Sequence, residues 1–228
     1  MSPRPLRLFL DSADPCDWEQ WLPLGVFHGV TTNPLLLERA GQACTPDNLA
    51  ALGDRAFALG AREIHLQAWG DDVEQLVACG RKLNGLAPQV AVKVPATAEG
   101  MEAARRLIGE DIGVTLTAVY NAGQVLTAAA LGCATAAPYL GRHDDLGRDG
   151  TSEVVSKQEL LPNSDSPTRL LTASLRSWDK VVELAWEGCD TFTFGPTVAE
   201  GMVDDPDTED AAEAFAEAAR KMGAETVE

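Results

Sequence analysis

The sequence predicts an α/β protein built as a closed (β/α)8 barrel, and three observations carry that expectation. Short β-rich runs alternate with segments of helical period along the chain, the β-rich runs number eight, and no hairpin dipeptide joins one run to the next. Strands connected in this way pair in parallel through helical crossovers. Such barrels begin at about 200 residues, and this chain has 228. A doubly wound open sheet shares the alternation and is the competing architecture. No stretch looks like a linker, a repeat or a low-complexity tract, so residues 1–228 read as one domain with an additional C-terminal helix over about 207–222.

The first strand is Leu6 to Leu10, ending in Asp11, and a helical stretch around Trp18, Trp21 and Leu22 follows it. Gly25 to Val30 is the second strand and runs into Thr31-Thr32-Asn33-Pro34. Thr45-Pro46 has the form of an N-cap with proline in the first turn, and Leu49, Leu52, Ala56 and Leu59 then recur on one helical face. Glu63 to Gln67 is a strand; Val73, Leu76, Val77, Gly80 and Leu83 line a helix; Val90 to Val94 is again a strand. Thr97 caps a helix carrying Met101, Ala104, Leu107 and Ile108. The strand Val114 to Thr117 leads to Asn121, a cap for a helix with Val125, Leu126 and Ala129. Ala134 to Tyr139 is a strand of small residues that opens into a polar loop, Gly141 to Gly150, before a helix from Thr151. Arg169 to Ala173, a Ser177-capped helix ended by Gly188, the strand Thr191 to Phe194 and a short helix from Pro196 complete the alternation. Asp210 to Met222 is amphipathic, with Phe215 on its apolar side.

Hydrophobic residues make up 45% and charged residues 23%, values that exclude a disordered or fibrous chain. Lys and Arg total 18 against 35 Asp and Glu, a formal charge of -17. Such a chain repels phosphate backbones and anionic lipid, so neither nucleic acid nor membrane is an expected partner. An anionic metabolite would have to be held by a few locally focused arginines. The five cysteines are odd in number and lack CxxC spacing, which reads as free thiols rather than a disulfide frame or zinc site. The apolar run Leu8-Phe9-Leu10 is too short for a signal-peptide core, and no stretch is long enough to span a bilayer. A cytoplasmic protein is expected.

Chemistry in a parallel barrel sits at the C-terminal strand ends. Here those ends carry Asp11; Thr31, Thr32 and Asn33; Gln67; Lys93; Thr117; Tyr139 with Arg142; and Ser174 with Arg176. Lys93 stands out, because the other four lysines lie in polar contexts. In Val90-Ala91-Val92-Lys93-Val94 the period of two puts the valines on one face and the lysine on the other, pointing into the lumen. A desolvated lysine loses its charge more readily, becomes nucleophilic toward carbonyl carbon and can form a Schiff base. An edge-strand lysine snorkelling to solvent would show the same pattern. Asp11 reads equally as a catalytic carboxylate or as the residue opening the turn before Pro15, and Asn33 as a ligand contact or as an N-cap before Pro34. Arg142 and Arg176 read as solvated charges or, with Ser174, as a phosphate cradle. The histidines show no metal-ligand spacing, and there is neither a Gly-rich phosphate loop nor a nucleophile elbow.

Leu8-Phe9-Leu10-Asp11, Gly29-Val30-Thr31-Thr32-Asn33-Pro34 and Val92-Lys93-Val94-Pro95 with Glu99-Gly100 resemble the small transaldolase and fructose-6-phosphate aldolase family. Thr117-Ala118-Val119-Tyr120, Ala137-Pro138-Tyr139-Leu140-Gly141-Arg142 and Ala173-Ser174-Leu175-Arg176 extend the resemblance over about Leu6 to Met202. It implies a TIM barrel, Lys93 as the Schiff-base lysine, and Asp11 as a carboxylate near the substrate hydroxyls that takes part in proton transfer. It further implies that Asn33, with Thr32 in the same motif, meets the dihydroxyacetone portion, that Thr117 lies near the reacting centre, and that Arg142, Ser174 and Arg176 hold the sugar phosphate. No metal or organic cofactor is implied; a homo-oligomer, a decamer of stacked pentamers, is.

Four positions bear on the reaction. Gln67 and Tyr139 match the aldolase, where transaldolases carry Glu and Phe, and Thr115 and Ala137 stand where typical transaldolases have Asn and Ser. The loop Leu140 to Gly147 and Arg176 look more like small transaldolases. The expected function is therefore a Schiff-base aldolase of fructose 6-phosphate. The alternatives are a transaldolase of the pentose phosphate pathway moving the dihydroxyacetone unit to erythrose 4-phosphate and, more remotely, a non-catalytic barrel with Lys93 in a structural ion pair.

Overall fold

The structure is a computed structural model that describes residues 4–162 and 166–224; residues 1–3, 163–165 and 225–228, which the one-domain expectation includes, lie outside the described residues. Its strands are β1 (Arg7–Asp11), β2 (Phe27–Thr31), β3 (Glu63–Gln67), β4 (Val90–Pro95), β5 (Val114–Val119), β6 (Thr135–Pro138), β7 (Arg169–Thr172) and β8 (Thr191–Phe194). Each pairs in parallel with its sequence neighbours, and β8 pairs with β1 to close the barrel. The open-sheet alternative is thereby excluded.

Outside the strands lie α1 (Pro15–Trp21), α2 (Pro34–Arg39), α3 (Pro46–Ala58), α4 (Val73–Asn84), α5 (Ala98–Ile108), α6 (Ala122–Leu131), α7 (Leu140–Asp145), α8 (Gly150–Leu160), α9 (Trp178–Trp186), α10 (Pro196–Glu200) and α11 (Pro206–Lys221). A short polar side chain starts most of them: Asn33, Thr45, Asp72, Thr97, Asn121, Asp149, Ser177 and Asp205 each accept a hydrogen bond from a backbone N–H in the first turn. These bonds satisfy donors that the helix itself leaves unpaired. At α1 the capping oxygen belongs to Asp14, which accepts from the Cys16 N–H at 2.8 Å, so Asp11 does not perform that task.

Alternation along the strands divides the interior into two compartments. Val90, Val92 and Val94 join the large core between barrel and helices, where Leu83 and Leu107 are fully buried; each such aliphatic side chain contributes about 2 kcal/mol. Phe9, Ala137 and Leu171 form a separate apolar cluster, with Phe9 stacked edge-on against His28 and His65. At the N-terminal end of the barrel a directional string of hydrogen bonds crosses the lumen. Thr135 donates to Thr115 at 2.7 Å, Thr115 meets His65 Nδ1 at 2.9 Å, and His65 Nε2 is bonded to Glu63.

The polar stretch after β6 contains α7, where the sequence predicts only a loop. Six residues carry too few apolar positions for a period to register. The helix is anchored by backbone instead: the Leu140 and Gly141 N–H groups donate to the carbonyls of Ala173 and Ser174 at 3.0 and 2.9 Å. A Cβ on Gly141 would lie 2.5 Å from the Ser174 oxygen, so only glycine permits this approach. At the other extreme, α11 buries none of its residues, and Phe215 is 74% exposed. It therefore does not close its own barrel, as an amphipathic terminal helix could have done.

Burial by itself would raise the Glu63 carboxyl, but the hydrogen bond to His65, with the electrostatic influence of His65, His28 and Arg7, outweighs it and lowers the pKa from 4.5 to about 2. The stabilisation is complete above the unfolded value and is lost as pH falls from 4.5 toward about 2. Glu63→Gln is expected to cost on the order of 2–3 kcal/mol at neutral pH and to flatten the loss of stability below pH ~4.5. Urea unfolding at pH ~7 and pH ~3 checks this; an unchanged pH dependence would contradict it.

Candidate active site

The C-terminal strand ends open into a cavity of about 410 Å³. From the strands come Asp11 at the end of β1, Gln67 at the end of β3, Lys93 in β4 and Thr117 in β5; from the segments after the strands come Asn33, Tyr139, Arg142 and Ser174. Eight of the ten residues expected to act in catalysis or substrate binding thus line one space. Thr32 and Arg176 do not.

Lys93 is 5% exposed, and its Nζ donates to the Thr32 carbonyl at 3.0 Å. A closed barrel has no edge strand, so the snorkelling reading fails. Burial pushes its pKa down, and the Asp11 carboxylate offsets part of that effect. Among the described residues no carboxylate lies in ion-pair contact with Lys93, so a structural salt bridge does not account for it. Thr32 acts here through its backbone carbonyl. Its own hydroxyl is buried, off the cavity, and has no partner among the described residues.

Asp11 accepts a hydrogen bond from the Thr31 hydroxyl at 2.6 Å, and that oxygen is 2.6 Å from Thr193 Oγ1. Because the Thr31 proton points to Asp11, Thr193 must be the donor to Thr31, which fixes the string Thr193 to Thr31 to Asp11. Asn33 fulfils the capping role: its Oδ1 accepts from the Leu35 and Leu36 N–H groups at 3.0 and 3.1 Å. Its amide NH2 is the part left to meet a ligand.

The Tyr139 phenol lies 2.9 Å from Thr117 Oγ1, and its ring stands edge-on to Tyr120 at 5.9 Å. Burial raises the Tyr139 pKa, with the Thr117 bond working against it, so the phenol keeps its proton at neutral pH. Ser174 holds φ +60, an unusual value for a residue with a side chain. Its carbonyl anchors Gly141, the residue before Arg142. Arg142 is 55% exposed at the mouth, while the guanidinium of Arg176 is turned to Asp145, to which it donates at 2.6 Å.

Two polar lining residues were missed from the sequence. Thr193 alternates with phenylalanines in Thr191-Phe192-Thr193-Phe194, a pattern that marks it as lumen-facing. Arg39, the last residue of α2, reaches the mouth with no pattern to announce it.

A parallel barrel that gathers a buried lysine, a carboxylate and a rim of arginines at its C-terminal face has the organisation of a barrel enzyme. Residues 8–227 match the model of the Transaldolase/Fructose-6-phosphate aldolase family, and the chain belongs to that family. Its relatives include proteins named probable transaldolase from Phenylobacterium zucineum (33% identical, covering 92% of this chain and 94% of the relative) and Herpetosiphon aurantiacus (34%, covering 92% and 93%). Another, from Thermus thermophilus, is 33% identical and covers 90% of this chain and 93% of the relative. A solved thiamine phosphate pyrophosphorylase from Pyrococcus furiosus superposes with a TM-score of 0.60 at 11% identity, over 96% of this chain and 98% of that one. That likeness concerns the fold alone.

Proposed function

We propose that the protein is a lysine Schiff-base aldolase that cleaves and forms fructose 6-phosphate. The observation that carries this reading is the Lys93 amine, buried, bonded to a neutral carbonyl and facing the cavity beside Asp11. The amine adds to the ketone of fructose 6-phosphate and water leaves, giving an iminium that acts as an electron sink. The Asp11 carboxylate takes the proton of the C4 hydroxyl. The C3–C4 bond then breaks, its electron pair passing into the iminium as glyceraldehyde 3-phosphate departs. A dihydroxyacetone enamine stays on Lys93.

Protonation of the enamine carbon and addition of water release dihydroxyacetone and restore the amine. The protonated phenol of Tyr139, with Thr117 and Gln67, gives the cavity the polar groups to position that water and supply that proton. Asn33 would hold the dihydroxyacetone hydroxyls, with Thr32 fixing the amine through its carbonyl, and Arg142, Ser174 and Arg176 would take the phosphate. The scheme uses no metal or organic cofactor.

The relatives named probable transaldolase favour a second reading, in which erythrose 4-phosphate rather than a proton captures the enamine, as in the pentose phosphate pathway. Borohydride with fructose 6-phosphate is expected to trap a covalent adduct on Lys93, and Lys93→Ala to abolish it; trapping that survives the substitution would overturn the scheme. Glyceraldehyde 3-phosphate release is expected to proceed without an acceptor aldose. Release that requires erythrose 4-phosphate would establish transfer as the main reaction.

The exposed apolar side of α11 supports assembly as a homo-oligomer, a decamer by family resemblance, in the cytoplasm. Among the described residues no helix is long and apolar enough to cross a membrane. Analytical ultracentrifugation is expected to find an assembly that truncation before Pro206 disrupts. A monomeric full-length chain would contradict it.

A further inference from the structure

Asp145 closes α7 with one carboxylate shared between two guanidiniums. Its Oδ1 accepts from Arg176 at 2.6 Å, and its Oδ2 lies 3.6 Å from Arg142 Nη1. Two oxygens of one anion thus face two cations, the arrangement that two oxygens of a phosphate would adopt between the same side chains. The contact also accounts for the absence of Arg176 from the cavity wall. Its Nε packs so close to Gly141 that a Cβ there would lie 2.7 Å away. The Nε side of the guanidinium is thus seated on Gly141, while the side chain as a whole is 57% exposed and its terminal nitrogens are open to an exchange of partners.

From this geometry we infer that Asp145 is a specificity-determining residue, an internal carboxylate that occupies the place of the substrate phosphate and yields it to a dianion. The inference rests on the reading of Arg142, Ser174 and Arg176 as the phosphate end of the site. A singly charged carboxylate ligand would replace Asp145 by its equal and gain nothing. A phosphate monoester carries a charge of about -1.5 to -2 and three acceptor oxygens, so it holds both guanidiniums more strongly than Asp145 does. Release of Asp145 is easy, because ion pairs between exposed groups are weak. The site therefore favours aldose phosphates over sugar acids, which would otherwise compete for the same arginines.

Asp145→Asn keeps the shape and removes the competing charge. In phosphorus NMR titrations with inorganic phosphate, the variant is expected to bind about two- to fivefold more tightly than the wild type. Acetate, which barely displaces phosphate from the wild type, is expected to displace it measurably from the variant. Unchanged or weaker phosphate binding in Asp145→Asn would overturn the inference and make the residue a strut for Arg176. Arg142→Ala separates the two layers. Weakened phosphate binding there, with no gain in Asp145→Asn, removes the Asp145 inference alone; wild-type phosphate binding in Arg142→Ala removes the phosphate site and the inference together.

Discussion

Holding the Lys93 amine out of water is the constraint on which the rest of the site depends. An ammonium buried without a counter-ion is costly, and the protein meets that cost by leaving the group free to lose its proton. Thr32 offers a carbonyl, which accepts a hydrogen bond from the amine in either state. Asp11 stands off, restrained by Thr31, close enough to influence the lysine without forming a contact pair. Were the carboxylate in contact, the ammonium would be stabilised and its reactivity suppressed.

The barrel gives this arrangement its rigidity. Closure supplies each strand with two paired neighbours, so the backbone beneath Lys93, Asp11 and Thr117 has little freedom to relax around the buried amine. The lumen is then divided along its axis. Its lower half is filled by Phe9 and the string from Thr135 to Glu63, and its upper half opens into the cavity. Charge is treated differently in the two halves. At the lower end Glu63 is surrounded by cationic and hydrogen-bonding partners that keep it ionised, whereas at the upper end Lys93 is given none that would hold its charge.

Much of this was legible in the sequence for local reasons. The alternation of Val90-Ala91-Val92-Lys93-Val94 is a property of strand geometry, and pairs such as Thr45-Pro46 and Asn33-Pro34 mark helix starts through the chemistry of the cap. Other features depend on contacts distant in sequence. That Asp14 rather than Asp11 caps α1 is decided by the backbone course after β1, and Asp11 is left for Thr31, twenty residues on. The helix α7 exists because the backbone after β7 receives its first N–H groups, which no pattern within Leu140 to Asp145 reveals. The same holds for Arg176, whose guanidinium is turned to Asp145 at the end of α7; the alternation of β8 marks Thr193 as lumen-facing, but its link to Thr31 appears only when the barrel closes.

The most direct measurement is the rate of borohydride-trapped adduct formation on Lys93 as a function of pH. Burial lowers the pKa of the amine, so the reactive neutral form becomes abundant at lower pH than for a solvated lysine. The rate is expected to reach half its maximum below the ordinary lysine value of 10.5. A rate that climbs only as a solvent-exposed lysine titrates would show that the amine is not held dry, and would contradict the account at its root.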